Sequence, residues 1–164
     1  MKTLLVLRHA KSSWSDSALD DHERTLNQRG LRDGPRMGKL VREHGLTPDV
    51  IISSDAVRAR LTAAAVAQAA GYRQDIRFEE ALYAASAADI LAVLRTVTQA
   101  TAGTVMIVGH NPGLEELVAQ LTGEQPDLPT AALAQIVLPI DRWRDLKKTT
   151  RGRLLDLWRP KQSA

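Results

Sequence analysis

No cysteine occurs among the 164 residues. That excludes disulfides, thiolate catalysis and Cys-ligated zinc or iron–sulfur centres, so stability must come from packing. Long apolar runs are also missing. The stretch after Met1-Lys2-Thr3 is too short for the core of a signal peptide and is interrupted by Arg8, and nothing else approaches a membrane span. A cytoplasmic location without a membrane partner is the expectation. Charge of one sign does not dominate: 22 Lys and Arg stand against 19 Asp and Glu, for a net +3 and a pI near 9.5. This agrees with an anionic substrate and is too mild to demand nucleic acid. No His-x-x-x-His or carboxylate–His ligand spacing accompanies His9 or His110, so no metal is expected. Repeats, linkers and low-complexity tracts are lacking as well. With 44% hydrophobic residues over this length, the chain reads as one domain, 1–164.

What the chain does have is two apolar runs of like design. Leu4-Leu5-Val6-Leu7 leads directly into Arg8-His9-Ala10, and Val105-Met106-Ile107-Val108 leads into Gly109-His110. Continuous apolar runs suit parallel strands covered on both faces. Between them the pattern alternates. Lys11 to Arg24 has no period and reads as a loop. A helix is expected from about Asn27 to His44, with Gly30, Gly34 and Gly38 on one face for close approach to the sheet and Pro35 forcing a late start or a kink. Asp49–Ser53 is a strand, and Ser54 or Asp55 caps an Ala-rich helix that Gly71 stops at Ala70. Ile76 to Glu80 contains a short strand. Ser86 and Asp89 form a capping box for the next helix. Asn111-Pro112 opens a further helix that ends at Gly123, and strands near 134–138 and 153–158 close the chain. The expected fold is α/β and three-layered, a mostly parallel central sheet with helices on both faces.

Open α/β sheets bind ligands beyond the carboxyl ends of their strands. Three strands here end in Arg8-His9, in Ser53-Ser54 with Arg58 one turn on, and in Gly109-His110. Arg58 falls in a first helical turn, where free N–H groups already favour an anion, and guanidinium groups bind phosphate bidentately. An imidazole among such cations is pushed toward its neutral, nucleophilic form. One Arg-His pair alone would read as structural. Four groups of the right kind at equivalent strand ends point to a phosphoryl site. His22 and His44 read as a loop residue and a helix-end surface residue.

These residues resemble a known family. Leu7-Arg8-His9-Ala10 is similar to the Arg-His-Gly signature of the histidine phosphatase superfamily, with Ala10 in place of glycine, and Trp14 matches the aromatic that follows it in phosphoglycerate mutases. Ser15 stands where those enzymes carry asparagine. Leu26-Asn27-Gln28-Arg29-Gly30 resembles the Leu-Thr-x-x-Gly helix start. Ser54 to Thr62 resembles Ser-Pro-x-x-Arg-Ala-x-Gln-Thr, departing at Asp55 and Leu61, and Val108-Gly109-His110-Asn111-Pro112 corresponds to the segment of the second histidine. The size and the Arg-His-Ala-Lys-Ser opening look most like the SixA-type phosphohistidine phosphatase branch. The resemblance implies a phosphoglycerate mutase-like fold and a covalent mechanism. In it His9 is the nucleophile, Arg8 and Arg58 bind the phosphoryl oxygens, and His110 stabilises the transferring group. No cofactor or metal is implied. Lys11 and Ser15 are added as substrate-binding candidates, with Ser12 beside them; for Lys11 and Ser12 a plain surface role is equally open.

Larger branches place a proton-donating glutamate in an insertion after the third strand, which this chain lacks. Glu79 and Glu80 read as a strand end facing solvent. Asp20 and Asp21 are alternative donors, and paired acids in a loop also read simply as solvated. The basic stretch Arg142 to Arg153 either binds a protein or nucleic acid or is a solvated connection whose Trp143 covers the core. Two function classes follow: a metal-independent phosphatase, acting on protein phosphohistidine or on a small phosphorylated metabolite, and a phospho-recognition module with little turnover. The intact Arg-His, Arg and His set favours the enzyme. A mutase, the third option, is weakened by the missing insertion.

Overall fold

The computed structural model describes residues 1–160. Six strands, β1 (Lys2–Arg8), β2 (Val50–Ser54), β3 (Arg77–Glu79), β4 (Thr104–Gly109), β5 (Leu133–Leu138) and β6 (Arg153–Trp158), form one sheet in the order β3-β2-β4-β1-β5-β6. The first four pair in parallel, and β5 runs antiparallel to both its neighbours. Four helices, α1 (Gln28–Glu43), α2 (Val57–Ala70), α3 (Ala87–Leu94) and α4 (Gly113–Thr122), connect them. Alternation along each strand explains the unbroken apolar runs. Leu5 and Leu7 enter a core with Met106 and Val108 under α1 and α2, whereas Leu4 and Val6 enter a second core with Val105 and Ile107 under α3 and α4. The sheet is covered on both faces, and the fold is the three-layered α/β arrangement expected.

Local signals set most element ends. Asn27 caps α1 by accepting from the Gly30 N–H at 2.9 Å, Ser86 and Asp89 form the reciprocal capping box of α3, and Gly71 and Gly123 close α2 and α4 with φ of 76° and 78°. Other expectations need correction. Helix α1 starts at Gln28 and runs through Pro35. Pro35 lies on its exposed face, where water can serve the carbonyl that loses its N–H donor. Neither Ser54 nor Asp55 is the N-cap of α2; that position is Ala56, whose N–H donates to Ser54 Oγ at 3.2 Å. Pro112 is the N-cap of α4 rather than its first residue. Trp143 is buried, and its Nε1 donates to the Ala102 carbonyl at 2.7 Å, so it covers the core.

Gly34 and Gly38 of α1 meet helix α2, not the sheet, and Gly30 meets the Lys11 carbonyl in the loop after β1. A Cβ on Gly38 would lie 2.6 Å from the Val66 carbonyl oxygen and 2.7 Å from Ala69 Cβ, and one on Gly34 would lie 3.0 Å from Ala65 Cβ. Small residues on both helices let their backbones approach, while Met37, Leu40 and Val41 take the core side. Gly38→Ala should therefore destabilise the fold by about 1–3 kcal/mol, read as a lower midpoint in chemical denaturation. Gly34→Ala, which meets only a methyl group, should cost less. Equal midpoints for wild type and Gly38→Ala would contradict this packing.

Candidate active site

Register carries the two histidines to one place. In the β1–β4 pairing Arg8 stands opposite Gly109, and the His9 N–H continues the ladder to the Gly109 carbonyl at 3.0 Å. One residue on, the His9 and His110 rings lie 5.1 Å apart between centroids. Strand β2 borders β4 on its other side, so Ser54 arrives next to His110, with 2.8 Å between Ser54 Oγ and His110 Nε2. Arg58 follows at the second position of α2. Its backbone is tied to the loop of the nucleophile candidate through Thr62, whose hydroxyl donates to the Arg58 carbonyl at 2.8 Å and accepts from the Ala10 N–H at 2.9 Å. On the β5 side, the Ala131 N–H donates to the His9 carbonyl at 3.0 Å. The segment before it supplies the Leu128 carbonyl, which accepts from Arg8 Nη1 at 3.0 Å and from Asn111 Nδ2 at 2.9 Å.

The result is a cavity of about 230 Å³ lined by Arg8, His9, Lys11, Ser12, Trp14, Arg24, Arg58, His110, Asn111 and Thr130. His9 is only 6% exposed. Its Nδ1 lies 2.7 Å from the Ala10 carbonyl oxygen, an acceptor that places the proton on Nδ1 and leaves Nε2 as the free lone pair. Burial is the main force holding His9 neutral, with His110, Arg58 and Arg8 adding to it, and together they lower its pKa to about 3. His110 is lowered to about 4, again by burial first and then by Arg58. Desolvation thus outweighs the cationic neighbours that sequence reasoning invoked.

Both arginines are anchored so that one edge stays available. Arg58 donates through Nη1 to the Asp21 carbonyl at 2.6 Å and through Nη2 to Asp21 Oδ2 at 3.0 Å, and Arg8 is held through Nη1. In each, the buried Nε has no hydrogen-bond partner. The end of the Arg58 guanidinium is fixed by Asp21, and the lateral Nε–Nη2 edge remains for an oxyanion. His110 Nδ1 is likewise buried without a partner. With Ser54 donating to Nε2, a hydrogen on Nδ1 completes a set of donors around a tetrahedral group.

The candidates fare unequally. Arg8, His9, Arg58 and His110 converge on the cavity, and Lys11 lines it. Ser15 does not: it is exposed and turned to Ser13, with 2.8 Å between the two hydroxyl oxygens, because the loop folds back on itself there. Asp21 is a partner of Arg58 rather than a free acid. The Tyr83 hydroxyl donates to its Oδ2 at 2.6 Å, and this bond followed by Arg58 keeps the carboxyl ionised below its usual range. Asp20 is exposed at the start of a 3₁₀ turn, Glu79 is paired with Arg77, and Glu80 is exposed. No carboxyl group is among the cavity-lining residues. His22 is no plain loop residue, since its Nε2 lies 2.9 Å from Asp55 Oδ1 and its ring meets Tyr83 edge-on. Tyr83, Thr130 and Arg24 were not legible as site residues, and an arginine closing the loop just before Leu26 is the single signal that would have pointed to one of them.

The family model of the histidine phosphatase superfamily (branch 1) matches residues 4–90. An uncharacterised chloroplastic protein of Arabidopsis thaliana is 34% identical over 144 residues, which are 82% of this chain and 66% of that protein, so the chain spans slightly less than two-thirds of this relative. Among solved structures, SixA from Agrobacterium tumefaciens is 29% identical with a TM-score of 0.82, covering 97% of this chain and 98% of its own. SixA from Nakamurella multipartitia is 28% identical with a TM-score of 0.85, covering 97% and 96%.

Proposed function

The chain belongs to the histidine phosphatase superfamily, and we propose that it is a phosphatase that works through a phosphohistidine on His9 and acts on phosphohistidine in a protein. The observation that carries this reading is the state of His9: buried, neutral, with Nδ1 committed to Ala10 and Nε2 free in a cavity lined by two arginines and a second histidine.

In the first step His9 Nε2 attacks phosphorus and the bond from phosphorus to the leaving nitrogen breaks, with Arg8, Arg58 and His110 holding the non-bridging oxygens. The guanidinium groups supply the positive charge that magnesium supplies in other phosphoryl transfers, so no metal is required. In the second step water attacks phosphorus, the P–Nε2 bond breaks, inorganic phosphate leaves and the proton from water passes to solvent at the cavity mouth.

The leaving group sets the substrate class. An alkoxide needs a proton as it departs, and a positioned general acid contributes about 10²–10⁴-fold. The cavity offers no carboxylic acid, and Asp21 is ionised on Arg58. Imidazole is different, because with its distal nitrogen protonated it leaves as a neutral molecule. The test is a substrate panel run in excess chelator. A phosphohistidine peptide should exceed phosphoserine in kcat/KM by at least about 10²-fold, with aryl phosphates between them. Efficient hydrolysis of an alkyl phosphate with little gain from a better leaving group would reveal an acid and overturn the reading. Turnover that needs an added divalent ion would overturn the metal-independent part.

A further inference from the structure

Two cavity-lining cations, Lys11 and Arg24, have no task in the scheme above, and Arg24 is the buried one of the two. It is only 8% exposed, and its guanidinium Nε and Nη1 are buried without a hydrogen-bond partner. The nearest anion, Asp21 Oδ1, lies 3.3 Å from Nε outside hydrogen-bond geometry, and its sister oxygen Oδ2 already serves Arg58 and Tyr83. A guanidinium taken out of water with its donors unused is costly unless an anion completes it.

The surroundings hold this group in place. The Arg24 Cζ lies 3.3 Å from the centroid of the Trp14 ring, a stack that fixes the plane of the guanidinium while leaving its edge free. Trp14 itself is 72% exposed, so burial is not what keeps it there. The backbone on either side is pinned: the Ser13 N–H donates to the Thr25 carbonyl at 2.7 Å, and Ser12 bridges to Leu26. The loop directly after His9 and the segment of Arg24 are therefore paired backbone to backbone. Asp21 touches Arg24 with one carboxylate oxygen and Arg58 with the other, which sets the two guanidinium groups side by side on one cavity.

Building on the proposed phosphatase, we infer that Arg24 is a third phosphoryl-binding arginine, contacting the same tetrahedral group as Arg8 and Arg58, and that Trp14 is its positioning residue. The charges agree with a single dianion. Arg8, Arg24 and Arg58 are the guanidinium groups of the cavity and Lys11 also lines it, both histidines are neutral, and the carboxylate of Asp21 offsets one charge, so positive charge remains in the excess that a dianion requires.

The experiment measures tungstate, a stable tetrahedral oxyanion, binding to the full chain by titration calorimetry, alongside steady-state kinetics on the best phosphohistidine or aryl substrate. Arg24→Gln should weaken tungstate by about tenfold to a hundredfold, the scale of a lost hydrogen bond to a charged group, with kcat/KM falling in parallel. Arg24→Lys should recover only part, since an ammonium cannot present the planar fork. Trp14→Ala should weaken binding and Trp14→Phe much less. A melting curve for each variant separates folding from binding, and Arg24→Lys serves if Arg24→Gln fails to fold. Unchanged tungstate affinity in Arg24→Gln, including the case in which only KM for substrate rises because Arg24 meets a second anionic group, overturns the inference and leaves the phosphatase reading intact. Failure of the wild type itself to bind tungstate takes down both.

Discussion

His9→Ala should abolish turnover, with a loss of at least about 10⁴-fold, the scale seen when a covalent nucleophile is removed. The reason is positional. His9 Nε2 is the unprotonated ring nitrogen left open on the cavity, whereas His110 Nε2 is engaged with Ser54, so the second histidine cannot take over the attack. Brief exposure to ³²P-labelled substrate should label the wild type in a bond that is labile in acid and stable in alkali, and should leave His9→Ala unlabelled. The pH dependence follows from burial. With pKa values of about 3 for His9 and about 4 for His110, both rings remain neutral well below the ordinary histidine range, so labelling at fixed time should not fall off around pH 6.5. The folded state has the opposite dependence on acid. Between the unfolded value near 6.5 and the lowered folded values, the unfolded chain binds protons that these rings refuse, so stability falls as pH drops through that window. Labelling that persists in His9→Ala would sink the assignment.

Arg58→Ala should cost about 10³-fold in kcat/KM, in line with losing a guanidinium that meets developing charge on phosphorus. The structure adds a partner to this expectation. Asp21 receives both end nitrogens of Arg58, and Tyr83 holds the carboxylate in turn, so Asp21→Asn should reproduce a smaller part of the loss, because the backbone carbonyl still anchors Nη1. Arg58→Lys should rescue poorly, because an ammonium reaches one oxygen where the lateral edge of arginine reaches two. Arg60→Ala is the control. That side chain is exposed and lies over the Phe78 ring at 4.7 Å, away from the cavity, and its loss should change kcat/KM by less than about threefold. Equal effects at 58 and 60 would show that the wrong arginine has been placed in the site.

Much of the architecture was readable because it rests on short-range rules. Apolar runs that alternate between two cores, glycines in the left-handed region at helix ends, and the Ser86–Asp89 box each depend on a few consecutive residues, and the structure reproduces them. Pro35 shows where such rules fail: a proline penalty applies in full only where the orphaned carbonyl is dry, and the exposed face of α1 lifts that condition. The spacing of Gly34 and Gly38 predicts a close approach, and its partner is helix α2 rather than the sheet. Periodicity gives the face of a helix and says nothing of which element covers it.

The site divides in the same way. Sequence by itself determined the chemical inventory, namely two histidines stepping off apolar strands, Arg8 beside one of them, and Arg58 in a first helical turn, since these follow from the positions of residues along single elements. Tertiary structure alone decided how they work together. The insertion of β4 between β1 and β2 brings His110 to both His9 and Ser54. The folding of the loop after His9 brings Asp21 to Arg58 across 37 positions of sequence, turns Ser15 outward and stacks Arg24 on Trp14. Desolvation, which sets the neutral state of both imidazoles, is a property of everything packed around a group, and no window of sequence contains it.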